Sequence, residues 1–99
     1  EETEQRGEEV GYRRADAHIN LSNDQLKEVD NRGKVSASMM FSVARFNAWV
    51  TACGSSSPEE MARSRSETIA YFVEQYRLAL EENLDDYIEH FANYMELKH

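Results

Sequence analysis

Chain breakers and crosslinks are the scarcest things in this sequence. One proline and four glycines are spread over 99 residues. Sandwiches and barrels spend many such residues on turns, so their scarcity points to long uninterrupted helices. A single cysteine, Cys53, excludes an internal disulfide and points to a reducing, cytoplasmic setting, an intermolecular bridge being the other reading. No apolar run approaches the roughly 20 residues that a membrane helix needs. Basic residues are also few, 11 against 19 acidic ones, for a net charge of −8. That balance argues against nucleic acid or an anionic membrane surface as a partner. No signal peptide is visible; because the first residue is Glu1, a leader upstream stays an open alternative.

What remains is an apolar fraction of 40% arranged at helical spacing. The length suits one domain with a modest core. Residues 1–11 read as a polar, acidic extension that would need a neighbouring surface to become ordered, and 12–98 as a single helical domain. Helix one is expected from Tyr12 to Val29, where Tyr12, Ala15, Ile19, Ser22, Leu26 and Val29 form one stripe. Asp30 to Lys34 read as a turn, with Gly33 in the left-handed conformation. Helix two is expected from Ala37 to Ala52, capped by Ser36, with Val35 stapled onto Met40. It is apolar on two sides, with Met39, Val43, Phe46, Trp49 and Val50 on one and a row of alanines beside Phe41 on the other. Such a helix is expected to be central and buried, and ended by Gly54.

The sharpest local signal is Ser57-Pro58-Glu59-Glu60, in which serine caps, proline takes the first helical position and Glu60 completes a capping box. From there no breaker occurs before Lys98. Ile69, Val73, Tyr76, Leu80, Leu84, Tyr87, Phe91 and Met95 follow at spacings of four and three. One helix over this stretch would be about 60 Å long, at about 1.5 Å per residue. A compact domain of this size has a radius of gyration of about 13 Å. Either the helix breaks, at Asn83 to Asp86, or its far half covers another subunit. The stripe keeps phase through Asn83 to Asp86, which favours a continuous helix and a dimer. The expected fold is therefore all-α: a three-helix antiparallel bundle with a long C-terminal third helix and a core completed by dimerisation.

Candidate chemistry is thin. Glu81, Glu82, Asp85, Asp86 and Glu89 supply oxygen ligands but are spread along a helix, so they read as a solvated face rather than a calcium loop. Asp86 and His90 read as an i, i+4 pair, short of the three ligands of a usual zinc site. Glu59 with Arg63 and Arg77 with Glu81 are expected ion pairs. Arg14, Asp16 and His18 include a histidine and an acid without a nucleophile, and on a helix Asp16 and His18 point apart. Asp16 bridged to Arg45 is the better reading of that cluster. Arg45, Asn47 and Trp49 are polar or hot-spot types in the most apolar helix and are expected to meet a neighbour. No catalytic, metal or cofactor site is assigned.

Three stretches carry a resemblance. They are Arg14-Ala-Asp-Ala-His-Ile-Asn-Leu-Ser-Asn-Asp-Gln25; Lys34-Val-Ser-Ala-Ser38 with Ala44-Arg-Phe-Asn-Ala48; and Tyr71-Phe-Val-Glu-Gln-Tyr-Arg77 with Leu80-Glu-Glu-Asn-Leu-Asp-Asp-Tyr87. Over residues 12–92 the chain resembles the small proteobacterial proteins of the domain of unknown function DUF3144. The resemblance implies a bacterial, cytoplasmic protein and transfers no activity, cofactor or binding residue. The function expected is thus a non-enzymatic interaction or structural module, self-associating as a dimer through its third helix. The candidate surface is Arg14, Asp16, His18, Arg45, Asn47, Trp49, Tyr76, Leu84, Tyr87 and Phe91. The alternative is a small-molecule-binding or regulatory domain with a pocket between helices near Trp49, Arg45 and His18.

Overall fold

The computed structural model describes residues 2–96, and the side chains of 12–96. Five helices follow in order: α1 Glu2–Glu28, α2 Arg32–Cys53, α3 Pro58–Arg63, α4 Arg65–Glu89 and α5 Phe91–Glu96. There is no strand among the described residues, so the fold is all-α. The chain divides into two units, residues 1–50 and 51–99, with the division inside the last turns of α2. Each is described by itself.

In the first unit α1 begins at Glu2, so its backbone includes most of the expected polar extension; the side chains of 1–11 lie outside the described residues. The turn after α1 is shorter than Asp30 to Lys34. Asn31 is the residue that caps α2: its Oδ1 accepts the Lys34 N–H at 3.1 Å, and its carbonyl accepts from Val35 N–H at 3.3 Å. The Asn31 side chain reaches the third helical position, the geometry of a side-chain N-cap. Ser36 is therefore not the cap but lies within the helix, and Val35 is not a staple outside it but part of its first turn. Gly33 is also helical, with no positive φ. Its lack of a side chain serves the cap instead, since a Cβ there would sit 3.3 Å from the Asn31 Oδ1.

Val35 is 7% exposed, the one buried apolar side chain among the described residues. Farther from the turn, Ser22 Oγ donates to Met39 Sδ at 3.7 Å and ties α1 to α2. Beyond this contact the expectation that α2 is central and buried does not hold. Phe41 is 69% exposed, and Phe46 and Trp49 are 60% exposed each. The physical reason is simple: within its unit α2 has one long neighbour, α1, and one neighbour cannot cover two apolar sides.

The second unit opens with the last turn of α2. Gly54 N–H bonds Thr51 carbonyl and Ser55 N–H bonds Ala52 carbonyl, each at 3.1 Å, so the chain leaves the helix through tightened turns rather than a left-handed glycine. The start of α3 follows the sequence closely. Ser57 is extended, and its Oγ accepts from Glu60 N–H at 3.1 Å, with Pro58 at the head of the helix. The Glu60 carboxylate reaches one residue farther back than a capping box would place it. It accepts from the Ser56 backbone N–H and from Ser56 Oγ at 2.9 Å. Those two donors, the backbone one foremost, hold the Glu60 carboxyl below its ordinary pKa.

The expected third helix is not one rod. It is interrupted at Ser64 and again at His90, not at Asn83 to Asp86, where α4 runs through unbroken. Both joints keep the hydrogen-bond ladder. Ser64 N–H bonds Glu60 carbonyl, Thr68 N–H bonds Ser64 carbonyl, and His90 N–H bonds Asp86 carbonyl. At Ser64 the hydroxyl donates to the Met61 carbonyl at 3.2 Å, and at His90 the ring Nδ1 lies 3.2 Å from the Asp86 carbonyl. Side chains competing for ladder carbonyls disturb helices without a proline or glycine.

Candidate functional site

A long apolar surface runs along α4. Its residues 69, 73, 76, 80, 84 and 87, continued by 91 at the head of α5, return to one side at every third or fourth step. No described residue of the second unit covers them fully. Leu84 is 52% exposed, Tyr87 47% and Phe91 62%. At about 100 Å² of accessible surface per half-exposed large side chain, the stripe offers roughly 700 Å², close to what one partner contributes to a standard interface.

Charged groups flank this stripe and hold one another. Arg77 forks between two turns: its Nη2 lies 2.6 Å from Glu74 Oε2, its Nε 3.0 Å from Glu74 Oε1, and its Nη1 meets Glu81. The Arg77 hydrogen bond lowers the Glu74 pKa, and the two carboxylates raise that of Arg77. The expected Arg77–Glu81 pair is thus present with Glu74 added. Glu59 and Arg63 do not pair, for both are solvated on a six-residue helix and such a pair gains only a few tenths of a kcal/mol.

At the α4–α5 joint, Asp86 gathers two partners. His90 Nδ1 is 3.1 Å from Asp86 Oδ1, as its spacing implied, and the Tyr94 hydroxyl donates to Asp86 Oδ2 at 2.7 Å. The carboxylate stabilises the protonated phenol, so the Tyr94 pKa is raised. The Tyr94 ring also stacks near Tyr87, with centroids 4.5 Å apart. Tyr94 is the member that the expected pairing of Asp86 with His90 does not include; the repeated spacing of four in 86, 90 and 94 is the available signal. The cluster ties α4 to α5 across His90.

The second surface is on α2. Phe41, Ser42, Arg45, Phe46 and Trp49 line an open concavity of about 410 Å³. Phe46 and Trp49 lie 5.6 Å apart between ring centres. Arg45 and Trp49 are therefore together, while Asn47 is half-buried on another side of the helix. Arg14, Asp16 and His18 lie exposed on α1 and do not line the concavity. The expected Asp16–Arg45 bridge is not formed: Arg45 makes no ion pair among the described residues. Among those residues no group of three or more His, Cys, Asp or Glu is placed to hold a metal ion. None of their helices is long and apolar enough to cross a membrane.

Residues 11–88 match the family described as "Protein of unknown function (DUF3144)". The fold is similar to that in the NMR structure of the protein NB7890A from Shewanella sp, with 36% identity and a TM-score of 0.73. The match covers 87% of this chain and 91% of that one. No curated protein matches the chain.

Proposed function

We propose that this chain, which belongs to the DUF3144 family of proteins of unknown function, is a non-enzymatic interaction module that self-associates through the stripe on α4. The carrying observation is the row from Ile69 to Phe91, large apolar side chains left 41–62% exposed along the whole of α4. Isolated apolar residues on a surface are ordinary, but a contiguous patch of this size marks an interaction site. Tyrosines within it suit a seam with a wet edge, because each ring buries area while its hydroxyl stays solvated. A second copy would supply the missing layer and complete a helical bundle. The exposed Cys53 thiol suits a reducing, cytoplasmic compartment.

A ligand pocket at Trp49 is the weaker reading. The concavity there is open and lined by α2 alone, whereas small-molecule sites enclose most of their ligand. The discriminating experiment is light scattering at micromolar concentration. Self-association gives twice the chain mass of 11.5 kDa; a single species at the chain mass contradicts it.

A further inference from the structure

We infer that the α4 stripe of one copy seats on the Phe41–Trp49 face of α2 in a second copy, so that a two-fold dimer contains this contact twice. The inference rests on the self-association proposed above and adds what the stripe meets. Charge segregation is the first argument. Of the 19 acidic residues in the chain, none lies on α2. That helix carries only the cations Arg32, Lys34 and Arg45. In contrast, α4 has seven acids against Arg65 and Arg77, a net −5. Pairing the Phe41–Trp49 face with its own copy opposes Arg45 to Arg45, and pairing α4 with α4 opposes −5 to −5. Only the crossed pairing is complementary, and like charges facing each other across an interface are strongly disfavoured.

Shape and chemistry agree with the charge. The α2 face is concave, aromatic and exposed, and the α4 stripe is a row of exposed apolar side chains. Arg45 stands among those aromatics without an ion-pair partner among the described residues. Across the contact lies Glu81, the acid one helical step from the stripe, presently held by Arg77 alone. Arg and Trp in an apolar recess are the residue types that dominate binding energy. A reciprocal contact is also self-closing, since a two-fold axis uses both faces of each copy and leaves no open end for a filament.

The test mixes two variants, Trp49→Asp and Leu84→Lys. Each substitution falls on an exposed side chain, and circular dichroism checks that each variant stays helical; Phe46→Asp replaces Trp49→Asp if that variant does not. Each variant alone places a bare charge in both contacts of its homodimer. The mixed dimer has one native contact and one in which aspartate opposes lysine. The expected result is a heterodimer at least tenfold tighter than either variant homodimer, read by sedimentation at several concentrations. If the Trp49→Asp variant dimerises like the wild type, or the mixture gains nothing over its components, the crossed contact is wrong while self-association through α4 stands. If the wild type itself is monomeric, the proposed function is wrong at its root.

Discussion

Leu84→Asp is expected to weaken the dimer about a thousandfold while leaving each chain helical. Leu84 lies near the middle of the α4 stripe and is 52% exposed in the single chain. The fold of its own unit therefore draws little on it. In the dimer it would be covered twice, once in each copy, by two-fold symmetry. Losing a large apolar side chain from a buried seam and desolvating a carboxylate there costs at least about 2 kcal/mol at each occurrence. Two occurrences give about 4 kcal/mol, and each 1.4 kcal/mol is a factor of ten in affinity. Neighbouring Glu81 and Asp85 add repulsion in the same direction. Sedimentation across concentrations reads the shift. Wild-type affinity in this variant would remove Leu84 from any seam.

Val35→Asp is expected to destabilise the α1–α2 unit by about 3 kcal/mol. Val35 is 7% exposed and sits in the first turn of α2, directly behind the Asn31 cap. A carboxylate so close to a helix N-terminus gains about 0.5 kcal/mol from the dipole. Burying it without a partner costs several kcal/mol, so the penalty wins by about 3 kcal/mol. Stabilities of small domains are themselves only about 5–15 kcal/mol. Amide exchange resolved by residue should show lost protection along α1 and α2. Protection equal to wild type would mean that Val35 anchors nothing.

Some of this architecture was readable from the sequence and some was not. Ser57-Pro58-Glu59-Glu60 announces a helix start because each residue satisfies a different unpaired backbone group, and the structure puts both serine and proline in those roles. The phase of the stripe through Asn83 to Asp86 was equally informative, and α4 is unbroken there. Asn31 was missed as a cap because no acid follows at the third helical position and Ser36 offered a competing start. The interruptions at Ser64 and His90 left no proline or glycine to find. They come from a hydroxyl and an imidazole drawing on ladder carbonyls, which depends on rotamers rather than residue type.

Helix α2 shows a different limit. Periodicity says which side chains share a face, but not whether the chain contains anything to cover that face. Phe46 and Trp49 were placed on one face and Phe41 on the other, all expected to be buried; the three instead line one concavity and are exposed. The same gap separates the members of the candidate surface. Tyr76, Leu84, Tyr87 and Phe91 fall on one stripe because helical spacing alone places them. Arg45 and Asp16 were joined by a guess about packing, which spacing cannot supply.

Hydroxyl-radical labelling of Leu84, Tyr87 and Phe91 across a dilution series addresses the cover over α4 most directly. If a second copy shields these side chains, they are protected at micromolar concentration and become reactive together as the protein is diluted below its dissociation constant. Equal reactivity at every concentration would show that no second copy ever lies over them.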